Sequence, residues 1–365
     1  MDLLSKIVIL FIILIASYLL YRLIMKNQKY MIGIQQKKQI DVIEKEGFQE
    51  NLDASSQSSF PSMTSTVNVE LPINQYFIKS SFNSAYGTNE NGAKNTVSLF
   101  ALKNVMDRGC RFLDFEVYLA AATDIANSPS IPQVGFSTKS SYDVVESANI
   151  LSLDSVFQQI AETYSSVSNG QDPLFIQLRI KSKMKTILPE IGKLILSNFK
   201  QSLYNGIIEP AKIKLSELQR KIVILVDVNY LGSDYKLQAA CDASTPDCIF
   251  LPDVINAEVG TSDIPSTSNV TLLDQPKTPP KIKSDNGAYT TVSKWMLSMP
   301  EIGMLMARTN PDFVAFVRDY GVQILPLRFY YNDDNLKYYE QMFTDTGKSA
   351  FVSISTVIKY IKQNT

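Results

Sequence analysis

A chain of 365 residues with 35 Lys and Arg against 36 Asp and Glu has no global field to draw it to nucleic acid or to an anionic surface. It has no histidine and three cysteines, so neither a zinc site nor a disulfide framework is expected to organise it. Hydrophobic residues at 45% and charged residues at 19% are the balance of a globular protein rather than a disordered one.

Residues 7–21 are an uninterrupted apolar run, and residues 3–25 reach spanning length if Lys6 and Arg22 snorkel to the interfaces. After Ala16-Ser17 the chain continues Tyr-Leu-Leu-Tyr-Arg, which offers no small-residue cleavage site, so residues 1–25 read as an uncleaved transmembrane anchor. Arg22, Lys26, Lys29, Lys37 and Lys38 follow the run against Lys6 before it, which predicts a single pass with a cytoplasmic C-terminal domain. The sequon Asn269-Val270-Thr271 points weakly the other way. Residues 26–70 read as a polar, Ser-rich stalk with one short helix at 37–46.

From Leu71 apolar runs alternate with helical periodicity. Strands are predicted at 73–80, 111–119, 174–180, 222–228 and 322–330, and helices at 96–107, 153–164, 187–199, 311–320 and 335–343. That alternation predicts parallel strands with crossover helices, an α/β fold whose natural closure is a (β/α) TIM-type barrel. The barrel is placed at 71–356, with a loop-rich insertion at 231–286 and a tail at 357–365. Cys110 reads as a core residue, whereas Cys241 and Cys248 share a loop and could pair in an oxidising compartment. Trp295, Met296, Met299, Met304 and Met306 read as packing before a ligand platform.

Leu71-Pro72-Ile73-Asn74-Gln75-Tyr76-Phe77-Ile78 running into Lys79-Ser80-Ser81-Phe82-Asn83-Ser84-Ala85-Tyr86 resembles the first strand and loop of the phosphoinositide-specific phospholipase C X-region. Gly109-Cys110-Arg111-Phe112-Leu113-Asp114-Phe115-Glu116 and Pro173-Leu174-Phe175-Ile176-Gln177-Leu178-Arg179 resemble its next strands. Gly321-Val322-Gln323-Ile324-Leu325-Pro326-Leu327 and residues 339–353 resemble the Y-region. The resemblance implies a barrel that opens a phosphodiester with a histidine acid–base pair and calcium.

The same residues depart from that chemistry. The family's two histidines align with Phe82 and Val134, and neither can move a proton. Of the calcium ligands, Asn83 is in place and Asp114 and Glu116 keep two carboxylates, but the fourth aligns with Arg179. Arginine has no lone pair to give, so an internal ion pair with Asp114 and Glu116 is expected instead of calcium, and no cofactor. Lysines that would hold phosphate align with Leu225 and Asp227, while Lys181 could bind an anion or cap the rim. The expectation is a membrane-held, catalytically inactive module that binds a phosphoinositide head group or a protein, or serves purely as structure in a virion or organelle. Its rival is an active phosphoric diester hydrolase using Asp114, Glu116 or Asp227 with shifted pKa values, Arg179 replacing calcium as in bacterial members.

Overall fold

The computed structural model describes residues 67–87, 96–119, 131–139, 145–166, 171–182, 186–232, 234–238, 241, 248–283, 290–301 and 309–364, all in one compact unit. The expected anchor, the stalk up to residue 66 and its short helix lie outside these residues. Among the described residues no helix is long and apolar enough to cross a membrane.

Alternation of large apolar side chains builds the sheet. Strands β1 (Tyr76–Ile78), β2 (Ser80–Ser81), β3 (Phe112–Leu119), β4 (Pro132–Gly135), β5 (Leu151–Ser152), β6 (Leu174–Lys181), β7 (Ile222–Asp227) and β8 (Ala257–Val259) follow in chain order. In space β2, β3, β6, β7 and β8 lie side by side and parallel, Asp114 opposite Gln177 and Gln177 opposite Leu225. β4 returns antiparallel along the end of β3, pairing Val117 with Val134 and Glu116 with Gly135. β9 (Ser266–Ser268) pairs parallel with β10 (Leu297–Met299). Single parallel bridges link Leu297 to Ile324, Ile324 to Ile78, and Leu327 to Ser81. β11 (Phe351–Ser353) closes on β1 antiparallel.

Because successive side chains on a strand point to opposite faces, each central strand serves two cores. Leu113, Phe115, Val117, Ile176, Leu178, Ile180, Ile224 and Val226 face a helical layer. That layer includes α1 (Leu99–Asp107), α2 (Leu153–Ser166) and α3 (Ile187–Phe199), where Ile187, Ile191, Ile195 and Phe199 recur at helical spacing. Ser98 starts α1 by accepting the N–H groups of Phe100 and Ala101. The helix Phe313–Tyr320 starts on the Asp312 side chain and stops at Gly321, whose φ of 66° a side chain would strain. The opposite faces carry Phe112, Phe175, Val223, Leu225, Val259, Trp295 and Ile324 in a second apolar cluster.

Four sequence expectations need correction. Residues 231–286 are not an insertion: they supply β8 to the main sheet, supply β9, and bury Ala257, Val259, Ile264 and Leu272. Residues 357–365 are not a loose tail, because a helix Ile354–Asn364 buries Val357, Ile358, Tyr360 and Ile361. No strand spans 322–330, where only isolated bridges at Ile324 and Leu327 occur. The stalk does not run to residue 70, since Val69 accepts the Ser216 N–H and packs on the second cluster. Cys241 and Cys248 form a disulfide, and Cys110 is buried. Asn269 of the sequon is only 6% exposed and bonded to Ser298, a poor glycan acceptor. Trp295 is fully buried and Met299 nearly so, while Met304 and Met306 lie outside the described residues.

Candidate active site

The end of the sheet where the parallel strands finish gathers the charged side chains. Asp114, Glu116 and Tyr118 share one face of β3, with Gln177, Arg179 and Lys181 beside them on β6 and Asp227 ending β7. Arg179 donates from Nε to Asp114 Oδ1 at 2.8 Å, from Nη2 to Asp114 Oδ2 at 2.6 Å, and from Nη1 to Glu116 Oε1 at 2.9 Å. Nη2 also reaches Asn83 Oδ1 at 2.6 Å. Glu116 Oε2 accepts from Lys181 Nζ at 2.8 Å, the Tyr118 hydroxyl at 2.5 Å and the Ser137 N–H at 3.1 Å. Asn83, held at φ 44°, donates its backbone N–H to Asp114 Oδ2 at 3.0 Å.

All four carboxylate oxygens are therefore engaged, and the four charged side chains are at most 1% exposed. Aromatic rings close over the cations. The Phe82 ring lies 4.8 Å from Arg179 Cζ and 5.8 Å from Arg328, and Tyr230 covers both Arg179 and Lys181. Burial alone would raise the Glu116 carboxyl, but Arg179 and Lys181 hold it below the usual carboxylate range. Burial opposes the charge on Arg179 too, and Asp114 and Glu116 overcome it, lifting its pKa well above normal. The Lys181 ammonium is pushed down, by burial first and then by Arg179, despite Glu116. Asp227 is driven up to about 6, chiefly by burial, although its side chain accepts the Asn229 N–H and so starts the turn Val228–Leu231.

The two positions aligned with histidines separate. Phe82 is at this centre. Val134 is not: paired with Val117, it packs in the helix-side cluster, while its neighbours at 133 and 135 register with Tyr118 and Glu116. Leu225 belongs to the second apolar cluster below the charged layer. Sequence reasoning missed Tyr118, Ser137, Tyr230 and Arg328. Only Tyr118, two residues beyond Glu116 on the same strand face, carried a signal that could have found it.

Calcium requires several oxygen lone pairs converging on one point. Here the Asp114, Glu116 and Asn83 oxygens all accept from N–H or O–H donors, and the Arg179 guanidinium stands among them. These residues do not fit the ion.

Residues 69–227 match the family model for the phosphatidylinositol-specific phospholipase C X domain. Those residues are similar to an X domain of that family. The fold is similar to that of PLC21 from L. pealei, with a TM-score of 0.55 at 16% identity over 79% of this chain and 38% of that one. PLC21 from S. officinalis gives 0.55 at 14% identity over 79% and 37%. This chain thus spans less than two fifths of either relative, and at such identities the likeness is one of fold. No curated protein sequence is significantly similar to the chain.

Proposed function

We propose that this chain is a membrane-tethered, phospholipase C-like (β/α) barrel that binds or braces and does not hydrolyse. Barrel closure is supported by the parallel bridges among Ser81, Leu327, Ile78, Ile324 and Leu297, which continue the sheet round from β2 towards β9 and β10. One observation carries the loss of catalysis: Arg179 and Lys181 occupy the carboxylate oxygens through which the X domain would hold a cation. With phenylalanine at 82, no acid–base group of ordinary pKa replaces a histidine there. The ligand would then be a phosphorylated head group or a protein met at the membrane.

The test uses the full chain in detergent, presented with liposomes of phosphatidylinositol or its bisphosphate, with and without calcium. No release of inositol phosphate is expected. Turnover that scales with protein and vanishes in an Asp114→Ala, Glu116→Ala double variant would overturn the reading. It would favour the rival of an active phosphodiesterase, for which Asp227, a buried acid with a pKa of about 6, is the specific support.

The anchor at residues 1–25 and the basic cluster after it favour a cytoplasmic barrel. The Cys241–Cys248 disulfide pulls the other way, because such bonds persist in oxidising compartments. Protease added to sealed vesicles decides: a spared barrel supports the cytoplasmic side, and a digested one reverses it.

A further inference from the structure

Gln177 has its side chain fully buried on the same strand face as Arg179, one step below it, directly opposite Asp114 and Leu225. Among the described residues neither Nε2 nor Oε1 of its amide meets a protein partner. Asn83 repeats the pattern. Arg179 donates to its Oδ1, which fixes the amide orientation, since a flip would set NH2 against guanidinium. Its Nδ2, buried, is left with no protein acceptor. Both amides border Asp114, Asn83 through its backbone N–H and Gln177 through strand register. One layer further in, Trp295 stacks edge-on against Phe175, two residues before Gln177, and its buried Nε1 is unpaired as well.

Leaving such groups dry would cost their full desolvation penalty, and natural cores do not accumulate that penalty at one spot. We propose that the floor of the X-domain centre is a closed internal water site, held by both ends of the Gln177 amide and by Asn83 Nδ2. Water suits the set because it accepts from the two amide NH2 groups and donates to Gln177 Oε1. A halide would also accept from the NH2 groups, but it would sit beside the Asp114 carboxylate and leave Gln177 Oε1 unpaired. A metal cation would face a set dominated by donors. The site lies beneath the Arg179 ion pair, so the polar layer there is supported from below by solvent sealed in the fold.

The test is a crystal structure of the full chain at a resolution that shows ordered water, with a second crystal soaked in bromide. We expect density within hydrogen-bonding reach of Gln177 Nε2 and Oε1, and no anomalous signal from bromide. Gln177→Met, which removes both polar atoms at similar volume, should leave the melting temperature unchanged or lower it. Absence of density at Gln177, a bromide peak there, or a raised melting temperature in Gln177→Met would each overturn the proposal.

Discussion

Arg179 grips Asp114 with two prongs of its guanidinium, Nε on Oδ1 and Nη2 on Oδ2, and gives the third nitrogen to Glu116. Removing one partner of such a buried pair leaves an uncompensated charge. Arg179→Met should therefore destabilise the domain by about 3–5 kcal/mol, because Lys181 can still answer Glu116 while the Asp114 charge is left to the Asn83 N–H. Arg179→Lys should recover little, since a single ammonium cannot span both carboxylates. Adding Asp114→Asn to Arg179→Met should restore part of the loss. Urea unfolding of the four proteins measures this; equal midpoints for wild type and Arg179→Met would show the fork to be dispensable.

The same fork governs metal binding. Millimolar calcium should leave the melting temperature of the wild type where it was. Saturation at 100 times a dissociation constant would add about 2.7 kcal/mol, an easily visible shift. In Arg179→Glu three carboxylates meet against the single charge of Lys181, so that variant should melt lower and be raised by calcium. A calcium shift of several degrees in the wild type would mean that oxygens other than these hold the ion.

Asp227 and Glu340 should act at opposite ends of the acid range. Burial raises Asp227 to about 6, above an unfolded value of about 4, so its contribution is fully present below about pH 4 and is lost as pH rises through about 6. Asp227→Asn keeps a side chain able to start the turn Val228–Leu231. It should gain on the wild type across that window by on the order of 3 kcal/mol. Glu340 is the reverse case. Burial works against its charge, but Lys79 and Arg108 hold it at about 2, so its contribution is present above the unfolded value and fades as pH falls towards 2. Chemical unfolding of wild type and Asp227→Asn at a series of pH values tests the first half. A constant difference between them would show that Asp227 is not buried as a charge.

What the sequence disclosed depended on the length of each signal. The strands carrying Asp114 and Arg179 are eight-residue apolar runs buried on both faces, and the period of two alone sets their charged residues on one side. β8 is three residues long among Ser, Thr, Asp and Pro, too short to stand out, and its place comes from pairing with β7 across some thirty residues of chain. Around Ile324 and Leu327 the chain reaches its neighbours by single bridges with Pro326 between them, a residue that cannot donate to a ladder and so argued against the strand that the apolar run suggested. Val134 shows a further limit. A loose alignment fixes a position to within a residue, and a one-residue slip on a strand reverses its face.

That reversal decides how the centre responds to restored histidines. Phe82→His puts an imidazole where the ring now stacks on Arg179, yet the second histidine of the resemblance, at Val134, would point into the helix-side cluster beside Val117. Val134→His should thus lower stability by burying an unpaired polar ring. The inward positions are 133 and 135, and at Gly135 an added Cβ would meet Val145 Cγ1 at 2.7 Å. Even a well-placed pair would face carboxylates already bonded to Arg179 and Lys181, and groups that act as a unit are not recovered one at a time. Phe82→His, Phe82→His with Val134→His, and Phe82→His with Gln133→His should therefore all fail to release inositol phosphate from phosphatidylinositol. Only variants that also replace Arg179 should bind calcium, read as a raised melting temperature. Activity in Phe82→His with Val134→His, at unchanged stability, would show that β4 pairs with β3 one residue out of the Val117–Val134 register and that residue 134 faces the charged centre.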